Sequence, residues 1–129
     1  LEALEKEPFS RDEFLRTITD ALRIARDRGK ERDGWVPVRL LYVYVALLRN
    51  LQFDDFVKRP TARTFRDYST AQFVYDLARF GRRGWSCGDE TLRAETPNMA
   101  TVSAGKAMTL PNLEEMEKLG PQFARVRIE

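Results

Sequence analysis

The sequence contains no histidine. That excludes Ser-His-Asp and Cys-His catalysis, histidine zinc ligands and any histidine general base. It has a single cysteine, Cys87, so no internal disulfide can form and nothing calls for an oxidising compartment. No apolar run reaches the ~20 residues of a membrane span, and Arg39 interrupts the longest one. No signal-peptide pattern opens the chain. These absences predict an intracellular, cytoplasmic protein with no membrane contact. The first residue is Leu1 rather than Met, which reads as a trimmed chain or a piece of something longer.

What is present suits one folded domain. The 129 residues are 43% hydrophobic and 33% charged, too apolar for general disorder. A domain of this length buries roughly two-thirds of its unfolded surface. No metal, disulfide or cofactor is therefore expected. The net charge is only +2, but it is unevenly spread, with nine basic and four acidic residues between 34 and 88. Arginine makes up 17 of the 22 basic residues. Arginine suits bidentate contacts to phosphate or carboxylate, although a genome rich in arginine codons produces the same bias.

The stretch from Trp35 to Leu51 looks like the organising element. From Val38 to Leu51 only Arg39, Arg49 and Asn50 are strongly polar. A helix apolar on every side has to be surrounded by protein, so the pattern predicts a buried central helix. Pro37 fits its first turn. Tyr42, Val43, Tyr44 and Val45 keep a strand open, but the length favours a helix.

Two helices flank it. Ser10 and Glu13 form a capping box, with Phe9 and Phe14 as the hydrophobic staple. Phe14, Leu15, Ile18, Ala21, Leu22 and Ala25 then recur at helical spacing, predicting a helix over 10–28 that Gly29 ends. Ser69 and Gln72, with Tyr68 and Phe73, repeat the signature and predict a second helix over 69–80 that Gly81 ends. Residues 1–8 read as a charged lead-in and 29–36 as a solvated loop. Residues 52–68 read as broken helical turns, interrupted by Pro60.

After Gly84 the helical period fades. Residues 99–110 partly alternate, which suggests a weak strand or hairpin. Residues 111–119 read as a short helix with Pro111 at its start, Leu113 and Met116 on its apolar side and Gly120 as its stop. Residues 123–128 alternate and read as a closing strand. The expected fold is mainly α: a compact helical bundle around the central helix over residues 1–84, with a C-terminal irregular or short-β extension, residues 85–129, packed on the same domain.

Candidate sites are few. Gly84-Trp85-Ser86-Cys87-Gly88 matches the Gly-x-Ser-x-Gly of hydrolases. A helix precedes it rather than a strand, and the usual base is missing, with only Lys106 as a conceivable substitute. A glycine-rich turn is the better reading. Cys87 would be reactive if Arg82 or Arg83 lowered its pKa, but a lone cysteine is more often a small filler. Asp54-Asp55, Asp89-Glu90 and Glu114-Glu115 are acidic pairs whose side chains diverge, so they read as caps and solvated faces rather than a metal site.

The basic residues are more suggestive. Lys58, Arg59, Arg63 and Arg66 precede the second flanking helix, and Arg79, Arg82 and Arg83 end it. Tyr68, Tyr75 and Trp85 are interleaved. Arginine beside aromatics suits phosphate contact and base stacking. The competing reading is ordinary dipole complementarity and surface pairs such as Asp76–Arg79. In size and general look the chain is similar to the small helical subunits of CRISPR effector complexes, a likeness carried by no particular residue.

The expected function is thus a non-enzymatic nucleic-acid-binding module, for DNA or RNA, within a larger assembly. Arg63, Arg66, Arg79, Arg82, Arg83, Tyr75 and Trp85 would carry it. The alternatives are a protein–protein interaction or scaffold domain cut from a longer chain, or a winged-helix-type DNA-binding domain with residues 69–80 in the major groove.

Overall fold

The computed structural model describes residues 9–28, 34–97, 107–115 and 118–128. The lead-in over 1–8, the loop over 29–33, Lys106 and Met116 lie outside them. In chain order the elements are α1 (Arg11–Arg28), β1 (Val36–Pro37), α2 (Val38–Asn50), α3 (Asp54–Lys58), α4 (Thr70–Arg82), β2 (Ser86–Cys87), β3 (Glu90–Glu95), β4 (Met108–Pro111), β5 (Leu119–Phe123) and β6 (Arg125–Ile128).

The caps form where the sequence placed them. The Glu13 N–H donates to Ser10 Oγ at 3.4 Å, and the Phe9 and Phe14 rings sit 5.5 Å apart. The Gln72 N–H donates to Ser69 Oγ at 3.0 Å, and Tyr68 meets Phe73 edge-on. Each cap satisfies an amide that the helix itself leaves unpaired.

The mainly α bundle does not hold. The protein is α+β, with an antiparallel four-stranded sheet in the order β1-β6-β3-β2 and a separate β4-β5 ribbon. Of the closing strand expected at 123–128, residues 125–128 form β6, which pairs with both β1 and β3, while Phe123 ends β5. The rest of the sheet lacks a readable period because each strand gives so little to the core. β3 buries Leu92 alone, and β1 is two residues long. Among the described residues of 111–119 the expected short helix is absent. Pro111 ends β4, and the Asn112 Oδ1 accepts from the Glu114 and Glu115 N–H groups in an Asx turn. Gly120 belongs to β5, where a Cβ would run into the Leu110 and Pro111 carbonyls of β4.

The second correction concerns which helix is enclosed. α2 forms as a helix, but only one side of it is covered. Val38, Leu41 and Val45 face the core, while Leu40, Val43, Leu47 and Leu51 are 38, 54, 41 and 52% exposed. The enclosed helix is α4. It buries Gln72, Phe73, Tyr75, Asp76, Leu77, Ala78 and Phe80, because α1 lies on one side of it and the β4-β5 ribbon on another. Composition misled here, since α4 mixes polar residues among its apolar ones and α2 hardly does.

The glycine that ends α4 is also not the expected one. Gly81 is helical, and a Cβ there would overlap the Trp85 ring. The left-handed residue past the helix is Gly84, at φ 93°. Trp85 folds back over Gly81 and packs between Phe80 and Phe123, at 6.2 and 5.3 Å.

Gly81→Ala is expected to cost about 1–3 kcal/mol by displacing Trp85. Urea titration followed by tryptophan fluorescence checks this. Wild-type stability would show that Gly81 leaves the indole room to spare.

Candidate functional site

The arginine and aromatic residues singled out by sequence separate into three groups. Arg63 and Arg66 lie in the loop before α4, and Arg82 and Arg83 lie at its far end. The thirteen residues of α4 hold them about 20 Å apart. Arg66 stacks on Phe53 at 3.6 Å and pairs with Asp55 at 3.6 Å. Arg63, Arg82 and Arg83 are exposed.

The aromatics are committed to packing. Tyr75 is 4% exposed, so its ring has no face for a base. Trp85 is wedged between Phe80 and Phe123. Arg79 is not a surface cation either, because its guanidinium pairs with Asp76 and lies over the rings of Phe9 and Tyr75.

Asp76 is the centre of a buried polar cluster that the sequence suggested only as a surface pair. It is 4% exposed. Its Oδ2 accepts from Tyr68 Oη at 2.6 Å, and its Oδ1 accepts from Gln72 Nε2 at 2.9 Å and from Arg79. Tyr42 Oη donates to the Tyr68 carbonyl at 2.5 Å, which ties α2 to the segment entering α4. Burial pushes the Tyr68 hydroxyl far above its ordinary value of 10.0, and the Asp76 carboxylate adds to the shift. The spacing Gln72, Asp76, Arg79 is i, i+4, i+7, one helix face, and that was the available signal.

A second buried polar group anchors the preceding loop. Asn50 Nδ2 donates to the Ala46 and Arg66 carbonyls at 2.9 and 3.0 Å, and its Oδ1 accepts from the Arg66 N–H at 2.6 Å.

The Gly-x-Ser-x-Gly segment is a hairpin arm. Ser86 and Cys87 form β2, and Cys87 sits opposite Glu90 across the two-residue turn Gly88-Asp89. Gly88 at φ 62° supplies the left-handed first position of that turn. Ser86 Oγ bonds Thr91 Oγ1 at 2.9 Å. The Cys87 thiol donates to Asp12 Oδ1 at 3.3 Å, and that bond raises its pKa, which outweighs the opposing effect of Arg11. Arg82 and Arg83 do not activate it. Among the described residues no three His, Cys, Asp or Glu side chains gather to hold a metal ion.

Two surface hollows among the described residues bear on function. One is a hollow of about 510 Å³ where the start of α1 meets the end of α4, lined by Phe9, Arg11, Asp12, Arg79, Arg82 and Arg83. Arg11 is partly engaged there, since its guanidinium donates to the carbonyls of Phe80, Gly84 and Ser86 and lies over the Phe80 ring. It acts as a cap for the C-terminus of α4. The other is an apolar groove of about 540 Å³ between α2 and residues 65–69, lined by Tyr42, Val43, Ala46, Leu47, Phe65 and Tyr68. It opens beside the exposed stripe Leu40, Val43, Leu47, Leu51.

No family model, curated protein or solved structure matches the chain. Among the described residues no helix is long and apolar enough to cross a membrane.

Above pH 10 the unfolded chain releases the tyrosine proton while folded Tyr68 keeps it. The folded state then binds more protons, so stability falls as pH rises. Tyr68→Phe should lower stability by about 1–3 kcal/mol at pH 7 and flatten this alkaline fall. Denaturant titrations of both proteins between neutral pH and pH 11 test it. Equal alkaline slopes would mean that Tyr68 ionises freely in the fold.

Proposed function

We propose that this domain is a non-enzymatic protein-docking module whose contact surface is the open face of α2. The observation that carries this reading is the stripe Leu40, Val43, Leu47, Leu51. These residues recur at i, i+3, i+7 and i+11, all on one side, and all are substantially exposed. Scattered surface leucines are ordinary, but a continuous apolar stripe beside an apolar groove is a contact surface. It costs solubility and none of its residues is buried in the core, so a partner that covers it accounts for its composition.

Val43→Glu with Leu47→Glu is the direct test. The double variant should keep its denaturant stability to within about 0.5 kcal/mol, since neither side chain is core. It should also lose most of the binding of an environment-sensitive hydrophobic dye. Unfolding of the variant, or unchanged dye binding, would end the reading.

A second reading rests on the arginine hollow. Arg82 and Arg83 are exposed beside Arg79 and Arg11, which favours contact with the phosphates of a nucleic acid. Arg63 and Arg66 would need a strand long enough to run the length of α4. Arg82→Glu with Arg83→Glu should then reduce binding to single-stranded DNA or RNA and lower the salt slope by about 1–2. Salt-independent binding, or none, removes the reading. α4 is too enclosed to serve as a recognition helix, so a winged-helix mode is not proposed.

A further inference from the structure

We propose that the open face of α2 docks against the same face of a second copy of this chain, with the two helices antiparallel. This rests on the docking reading above and names its occupant.

Self-complementarity is the first argument. A two-fold interface puts the same patch against itself, so its pattern has to read alike in both directions. With Tyr44 included the α2 surface does so at four of its five positions, Val43 alone falling opposite the partly buried Leu48. Leu40 and Leu51 stand at its ends, with Val43, half-buried Tyr44 and Leu47 between them. Inverting one copy sets Leu40 against the other copy's Leu51, and Tyr44 against its Leu47. The stripe spans twelve residues, whose eleven steps cover about 16 Å.

Charge is the second argument, and it selects the direction. The amino end of α2 carries the exposed Arg39 and no acidic residue in its first turn. At its carboxyl end Arg49 is drawn over the Tyr68 ring, and just past it, after Leu51 to Phe53, α3 starts with the exposed Asp54 and Asp55. Antiparallel pairing brings the Arg39 end of each copy, with the positive end of its helix dipole, to the Asp54–Asp55 end of the other. Parallel pairing would set arginine against arginine and aspartate against aspartate. Arg39 also donates to the Ala107 carbonyl at 3.3 Å, and Asp55 pairs with Arg66, so each already has a partner within its own chain. Lys58 and Arg59 lie at the far end of α3.

Size sets the strength. One helix pair with its flanking groove falls at the small end of specific interfaces. The dimer should therefore dissociate in the micromolar to submillimolar range.

The experiment uses the full chain with Cys87→Ser. Sedimentation equilibrium over a concentration series should show monomer and dimer, and Leu47→Glu should leave monomer only. Leu40→Cys and Leu51→Cys are then prepared separately and oxidised alone and mixed. The expected result is a mixed disulfide from the two variants together and little cross-linking of either alone. Asp54→Arg with Asp55→Arg should weaken the dimer several-fold, and adding Arg39→Glu should restore it. Self-cross-linking of Leu40→Cys would overturn the antiparallel arrangement. A monomer at every concentration would overturn the second copy as occupant. If the Val43→Glu, Leu47→Glu variant still lost dye binding in that case, the docking reading would survive with a different partner.

Discussion

The buried carboxylate of Asp76 is the constraint that the helical half of this molecule depends on. It sits in the middle of α4, excluded from water, and a charge in that position is tolerated only when its oxygens are satisfied. Tyr68, Gln72 and Arg79 satisfy them. Each bond has a structural consequence. Tyr68 fixes the chain entering α4, and its carbonyl in turn receives Tyr42 from α2. Arg79 spreads over Phe9 and Tyr75 and so reaches the start of α1. One acidic group thus ties three helices into a single arrangement.

The arrangement explains why α4 and not α2 is enclosed. α4 can lie inside because its polar side chains bond one another there. α2 needs no such help, and one side of it suffices to hold the fold together. Its other side is left open, and the apolar residues on it become a surface rather than a core. The same cluster takes Arg79 and Tyr75 out of the solvent-facing set. The electrostatic face that the arginine count implied is accordingly reduced to exposed ends, with Arg63 near one end of α4 and Arg82 and Arg83 at the other.

The candidate sites were legible to different degrees. Ser86 and Cys87 could be set aside from sequence, because a hydrolase elbow needs a preceding strand and a base. In the structure α4 precedes the motif, Ser86 lies in a hairpin arm, and its hydroxyl has a partner in Thr91. The arginines could be named but not placed. Which guanidinium is spent on an aspartate, a carbonyl or a ring depends on chain segments far apart in sequence, as Arg11 capping the end of α4 illustrates. The open stripe on α2 was hidden by its own strength, since uniform apolarity says that a helix wants cover and not whether it has it.

The sequence by itself determined the local events. The two capped helix starts, the existence of α2 and the alternating strand β6 all follow from stereochemistry within a few residues, where side chain and backbone meet regardless of the rest of the chain. Only the tertiary structure decided the α+β architecture, the enclosed position of α4 and the exposed side of α2. β3 offers the core only Leu92 and β1 only Val36, so their pairing rests on backbone hydrogen bonds to β6 and on the Glu95–Arg125 ion pair, across thirty or more residues from β3 and almost ninety from β1. No periodicity can encode such bonds, because the backbone groups that make them are the same in every residue but proline.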